Sequence, residues 1–337
     1  MTTAPAGSVV PTASMQGLHV GALALADRDA LVTLHRTVFG SDVDAPWHAW
    51  KYIAGHGCGS GAWSDGSLVA HCGGIPRTLW ITGRPMAGLQ IGDVMVEPHW
   101  RGILTRRGPF FHASSHFYNT QIGAGRPFAL GFGFPGDRHL RLAKMVGLLR
   151  DGGSMHTLHW HTEGAAALPP WAWRWEPLDP HSIGFAATVD QAWASMRGAA
   201  ATMALGARGA DYVRWRFVER PGRQHRFFIL RRPWTRQPAG IAVLDVESAE
   251  AALWLDWIGP PGLMTLASRA CRREATAHGR ERLELWGTDA VVQALAHSDL
   301  AHQVELLRLG IVNTSVLDAN TTTGLRWWLT GGDTDFL

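Results

Sequence analysis

Lysine is almost absent from this chain: of 31 cationic side chains only Lys51 and Lys144 are lysines, and the remaining 29 are arginines. Against 28 acidic residues they leave a formal net charge of +3. A nucleic-acid binder gathers its charge on one face or tail, and so small an excess gives no such footprint. Cysteine is scarce too. Cys58, Cys72 and Cys271 are odd in number, widely spaced and without a C-x-x-C pair, which fits free thiols in a reducing compartment better than a disulfide framework. No run of about 18 apolar residues occurs, because Pro, Arg, His or Asp interrupts each one, so no membrane-spanning helix is expected. The first basic residue is Arg28. The charged opening of a secretory signal is therefore missing, and a cytoplasmic location is expected. G-K-[ST] and G-x-G-x-x-G are both lacking, which removes the Walker-type and dinucleotide-binding readings.

What is present is ordinary globular composition, 46% hydrophobic and 18% charged. At about 150 residues per domain, the length of 337 suggests two domains. The chain also repeats itself. Trp50-Lys51-Tyr52 returns 165 residues later as Trp215-Arg216-Phe217, and Asp93-Val94-Met95-Val96-Glu97-Pro98 returns 163 residues later as Asp256-Trp257-Ile258-Gly259-Pro260-Pro261. Upstream, Asp27 reads as the N-cap of a helix whose apolar stripe, Leu31, Leu34 and Val38, ends at Gly40. Its echo has Thr188 as cap, with Trp193 and Met196 on the stripe. Downstream, Gly125-Arg126 precedes the strand Phe128 to Phe132, as Gly279-Arg280 precedes Leu283 to Trp286. Nine residues are missing from the second copy between Pro261 and Gly279. These patterns predict an α/β fold with a mixed central sheet flanked by helices. Two tandem units are expected at 1–161 and 186–337, joined by a linker at 162–185 that carries Pro169-Pro170 and Trp171, Trp173 and Trp175.

The segment found only in the first copy is Arg101-Gly102-Ile103-Leu104-Thr105-Arg106-Arg107-Gly108, set between a strand and a helix opening at Pro109. A helix start offers free backbone N–H groups and a positive dipole end, glycine permits close approach, and guanidinium groups bind phosphate oxygens in bidentate fashion. The same composition also describes a solvated basic turn. Its place at the carboxyl end of a strand favours the anion site, and a pyrophosphate fits there.

The run Asp93 to Gly102, then a loop, a helix and Leu130-Gly131-Phe132-Gly133-Phe134-Pro135, resembles the acetyl-CoA-binding core of the GNAT superfamily of N-acetyltransferases. The resemblance covers roughly residues 18 to 155 and extends in weaker form to the C-terminus, as in tandem members of that superfamily with one degenerate half. It implies acetyl-CoA as co-substrate, lying along Val94, Met95 and Val96, with Arg101, Gly102, Ile103, Leu104, Thr105, Arg106, Arg107 and Gly108 around its phosphates. The loop departs from the family pattern [QR]-x-x-G-x-[GA]. Counting from Arg101, Leu104 stands at the glycine position.

The resemblance further implies direct attack of a neutral amine on the thioester, with backbone N–H groups of the Asp93 to Val96 strand polarising its carbonyl. Asp93, Glu97 and His139 are the candidate catalytic groups, with Asp137 beside them. Ala143 stands where the family often has an acidic tyrosine, and Tyr118 or His139 could take that role. The expected partner is an amine of a small molecule, sugar or peptide, without nucleic acid or membrane, and a homodimer is left open. The histidines of Met155-His156-Thr157-Leu158-His159-Trp160-His161 supply two ligands on one strand face and no third, so no metal is expected. Asp333 and Asp335 could bind a cationic substrate amine in a cleft between the halves, but their setting reads rather as a turn with exposed aspartates. The rival to the enzyme is a non-catalytic acyl-CoA-binding or scaffold protein.

Overall fold

The computed structural model describes residues 17–101, 108–168, 171–248, 250–312, 316 and 324–334. The described strands are β1 (His19–Ala22), β2 (Cys58–Ser64), β3 (Ser67–Ile81), β4 (Arg84–Val96), β5 (Leu130–Gly133), β6 (Leu149–His161) and β7 (Arg174–Pro177). They continue as β8 (Ala204–Gly206), β9 (Arg226–Arg231), β10 (Pro238–Asp245), β11 (Ala252–Ile258), β12 (Arg282–Thr288), β13 (His302–Val312) and β14 (Trp327–Trp328). The α-helices are α1 (Arg28–Phe39), α2 (Ala45–His48), α3 (Pro109–Gln121), α4 (Asp137–Met145), α5 (Phe185–Ala199), α6 (Ala210–Val213), α7 (Met264–Ala277) and α8 (Asp289–Ala294). Among the described residues no helix is long and apolar enough to cross a membrane.

Local chemistry explains the hairpins. Asp65-Gly66 joins β2 to β3 and Thr82-Gly83 joins β3 to β4, and all four residues have positive φ. A two-residue turn with both centres left-handed matches the twist of antiparallel strands. Helix α1 buries Leu31 and Leu34 and stops at Gly40, whose φ of 66° lets its N–H reach the Arg36 carbonyl. Thr188 is not the cap of its counterpart. Helix α5 starts earlier, at Phe185, because that ring is fully buried against Phe227 and draws another turn into the helix.

All the strands join one mixed sheet, whose main path runs β1-β2-β3-β4-β5-β13-β6-β12-β11-β10-β9-β7, with β8 pairing to β3 and β14 to β8. The order is symmetric about its middle. Setting β13 against β6, β5 against β12, β4 against β11, β3 against β10, β2 against β9 and β1 against β7 also matches the sense of every pairing: β4–β5 and β11–β12 are parallel, the rest antiparallel. The long strand ending each half crosses into the other, since β6 lies between β13 and β12, and β13 between β5 and β6. Helix α3 packs on β2 and β3, and α5 on β10 and β11.

Asp333, read from sequence as part of an exposed turn, is wholly buried. It accepts from Arg77 at 2.8 Å and from Arg208, and Arg208 also forks onto Asp256 at 3.0 and 2.9 Å. Its partners come from β3 and from the segment after β8, so only the folded chain assembles the cluster. Asp335 lies outside the described residues.

Candidate active site

Strands β4 and β5 run side by side from Gly88↔Leu130 to Ile91↔Gly133 and then part. After Gly133 the chain turns through Pro135 into α4, whereas β4 continues to Val96. Parting strands leave a cleft at their carboxyl ends, the place where ligands of α/β sheets bind. A cavity of about 380 Å³ opens there, lined by Ile91 to Val94, Gly133 to Gly136, Tyr118 and His139 together with His35 of α1. It shares Val94, Gly136 and His139 with a second cavity of about 450 Å³ that reaches Val96, Trp100, Arg101 and Phe110. On its other side it shares His35 and Asp93 with a third, of about 330 Å³, bounded by Ser41, Trp50, Lys51, Trp215 and Arg223. Three neighbouring cavities with shared wall residues therefore lie between the α3 end of the sheet and the junction of the two halves, with Asp93 in the wall between the first and the third.

The parting point carries a bulge. Between the pairs His71↔Met95 and Gly73↔Gly92, Cys72 stands opposite two residues, Asp93 and Val94, and Asp93 has a φ of 49°. Left-handed backbone at a non-glycine residue persists only where its surroundings fix it. Here Lys51 Nζ donates to Asp93 Oδ1 at 2.7 Å, Tyr52 donates to Oδ2 at 2.5 Å, and His71 Nδ1 donates to the Asp93 carbonyl at 2.7 Å. Burial pushes the Asp93 carboxyl up, but the Lys51 ammonium, the hydrogen bonds of Lys51 and Tyr52, and His35 together hold it below the usual carboxylate range. Asp93 thus stays ionised and engaged.

His139, from the first turn of α4, meets the edge of Phe110 and lines two of the cavities. Its Nε2 is buried with no hydrogen-bond partner, and burial lowers its pKa to about 4, so the imidazole is neutral at neutral pH. Tyr118 lies in the same cavity, and burial, then contact with Cys72, raises its phenol well above 10. Ala143 is buried in the apolar core.

Glu97 points elsewhere. Its carboxylate accepts from the His99 backbone at 3.0 Å and meets His99 Nδ1 at 2.7 Å, capping the short turn Pro98–Trp100. Along β4 the alternation of side chains puts Val94 and Val96 in the cavities and Met95 on the opposite face, in the core with Leu31 and Tyr52. Arg101 lines the α3-end cavity and donates to the Val96 carbonyl at 3.1 Å. Gly108 is the N-cap of α3. Gly102, Ile103, Leu104, Thr105, Arg106 and Arg107 lie outside the described residues.

Sequence reasoning missed His35, Lys51 and Tyr52 as site residues. His35 Nε2 lies 3.8 Å from Asp93 Oδ1, and its Nδ1 is 2.9 Å from Ser41 Oγ. Lys51 and Tyr52 stood within the repeated triplet, and Lys51 is one of two lysines in the chain. That rarity was the available signal.

At the equivalent point of the second half a bulky buried side chain stands. Where Val94 lines a cavity, Trp257 stands 163 residues later, fully buried, its indole against Gly240 and Gly259 and bonded to the Pro260 carbonyl. Among the described residues no group of three or more His, Cys, Asp or Glu side chains is placed to hold a metal.

Residues 19–134 match the family model described as Acetyltransferase (GNAT) domain. No curated protein matches the chain. Among solved structures, a probable N-acyltransferase from Enterococcus faecalis V583 shares 13% identity at a TM-score of 0.68, covering 88% of this chain and 72% of that one. A GCN5-related N-acetyltransferase from Kribbella flavida shares 12% at 0.62, covering 87% and 70%. The Saccharomyces cerevisiae N-myristoyltransferase with bound myristoyl-CoA shares 11% at 0.54, covering 92% and 83%. At such identities the likeness is one of fold: a mixed sheet with flanking helices. The match spans β1 to β5 and includes the cleft between β4 and β5, so over residues 19–134 the chain is similar to the GNAT acetyltransferase domain.

Proposed function

We propose that the chain transfers the acetyl group of acetyl-CoA to an amine of a small molecule, sugar or peptide, and that the two halves, divided near 161 and 186, arose by duplication with one cofactor site kept. The observation that carries the reading is the row of adjoining cavities beside the bulge at Asp93. Pantetheine lies along Val94 and Val96 from the α3 end, the thioester rests at the parting point of β4 and β5, and the amine arrives from the cavity at the junction of the halves.

The bulge leaves one residue of β4 without a ladder partner, and a backbone N–H released at the thioester stabilises the oxyanion. Attack is direct. Asp93 is not the base in this reading, because Lys51 and Tyr52 occupy its carboxylate. His35, between the thioester cavity and the acceptor cavity, takes the proton from the amine nitrogen as the C–N bond forms, and the Asp93 carboxylate beside it stabilises the resulting imidazolium. The C–S bond then breaks and the thiolate leaves. Tyr118, held protonated by burial, or water supplies its proton, and neutral His139 keeps the passage free of competing charge.

A second reading, acyl-CoA binding without turnover, draws on the same engaged carboxylate of Asp93. Thiol release from acetyl-CoA across an amine panel of spermidine, glucosamine, phenethylamine and a lysine peptide separates the two. Amine-dependent release that falls at least about tenfold in His35→Ala is expected for the enzyme. Saturable acetyl-CoA binding with no amine-dependent release would favour the binding protein.

A further inference from the structure

The repeated triplets meet face to face. Residues Ala49–Ala54, continuing α2, and Arg214–Val218, continuing α6, are both π-helical turns. The indoles of Trp50 and Trp215 stack with ring centres 5.0 Å apart and planes 10° from parallel. Each also donates to the other's backbone: Trp50 Nε1 to the Trp215 carbonyl at 2.8 Å, and Trp215 Nε1 to the Trp50 carbonyl at 3.0 Å. Trp215 covers Gly55 as well, where an added Cβ would come within 2.7 Å of its ring. The first-half turn is thus gripped at both ends by one side chain of the second half.

That turn is the one that holds the bulge. Lys51 and Tyr52 follow Trp50 directly, and the distances above place both on the Asp93 carboxylate. Wide π turns at functional sites are held by their surroundings, and here the surroundings belong to the other half. Arg216 and Arg220 add to the grip, their guanidinium groups 5.9 and 5.4 Å from the Trp50 ring.

We propose that Trp215, a residue of the half without the cofactor cleft, is a positioning residue for the acyl-transfer centre, acting through the Trp50-Lys51-Tyr52 turn on Asp93. The inference rests on the acyltransferase reading above and gives the second half a part in it. Trp215 fixes the turn, the turn fixes the Asp93 carboxylate, and the carboxylate fixes the left-handed backbone beside Val94. The cavity at the α3 end has none of Trp50, Lys51, Tyr52 or Trp215 in its lining, so acetyl-CoA affinity should not depend on this chain of contacts.

The test uses full-length protein, acetyl-CoA and the best acceptor of the amine panel. Trp215→Ala should lower kcat about tenfold while the acetyl-CoA Kd stays within about twofold; Trp215→Phe, which keeps the stack and loses the indole donor, should lose about threefold. Exposed Trp234→Ala is the control and should leave both unchanged. A residue that acts through Asp93 adds nothing once Asp93 is altered, so Trp215→Ala with Asp93→Asn should match Asp93→Asn alone. Losses that multiply in the double variant would overturn the proposal, as would an unchanged kcat in both Trp215 variants. Carboxyl-carbon NMR of labelled aspartate gives a readout independent of turnover. The Asp93 titration should move toward the ordinary carboxylate range in Trp215→Ala and Trp215→Phe, and an unmoved titration overturns the proposal even if no amine of the panel is acetylated. Failure of the whole panel with that shift present would instead count against the acyltransferase reading.

Discussion

Single residues decide which half keeps a cleft and which fills it. Asp93 and Asp256 occupy matching places, yet Asp93 is held by Lys51 and Tyr52 whereas Asp256 is forked by Arg208, which also reaches Asp333. Both Arg208 and Asp333 are fully buried, and a buried ion left without its partner keeps its desolvation cost. Arg208→Met should therefore destabilise the fold by about 3–5 kcal/mol in urea titration, and Arg208→Met with Asp256→Asn by less than the sum of the two single losses. A loss below about 1 kcal/mol would show that the cluster relaxes or hydrates when opened. None of this was legible beforehand. Asp333 stands among Gly and Thr near the chain end, a composition that reads as a turn, and its partners lie 256 and 125 residues away. The Asp93 motif was legible, but the residues that hold it come from a turn 41 and 42 positions earlier.

At the scale of elements the sequence spoke more clearly where the signal was local. Asp65-Gly66 marks its hairpin, Gly40 its helix end, and Pro109 at the first position of α3 its helix start. The repeat was visible because both halves use the same order of elements, but the stacking of Trp50 on Trp215 was not, since a repeat spacing says nothing about contact between the copies. The crossing of β6 and β13 was not visible, since strand neighbours are chosen by pairing across the sheet and leave no periodic trace in either strand. That crossing carries its own expectation. Cut from the rest, residues 17–161 present β6 with neither of its neighbours, β12 and β13, and leave β5 without β13. Unpaired strand edges associate non-specifically. The fragments 17–161 and 162–334 should each aggregate when expressed singly and give a soluble complex when co-expressed. A monomeric, cooperatively unfolding 17–161 would contradict the exchanged order.

The whole molecule joins two similarly ordered halves in one sheet, and its stability should bear the mark of histidines buried in their neutral form. Burial lowers His71, His139 and His225 from 6.5 to about 4. Below pH 6.5 the unfolded chain takes up these protons and the folded one does not, so stability is lost as pH falls from about 6.5 toward 4 and is unaffected by these groups above that window. Between pH 7 and pH 5 the three together should remove about 5 kcal/mol, read as a falling urea midpoint with an unchanged slope. A midpoint constant over that range would mean that these imidazoles are hydrated or charged in the fold.

On the proposed reading, one half kept an acyl-CoA cleft beside Val94 and the other closed it with Trp257. Calorimetric titration of acetyl-CoA into the full chain and into Val94→Trp tests it most directly. One site per chain, weakened at least about a hundredfold by the added indole while thermal unfolding stays cooperative, is the expected result. Two sites per chain, no binding to the unaltered protein, or equal binding to Val94→Trp would contradict it.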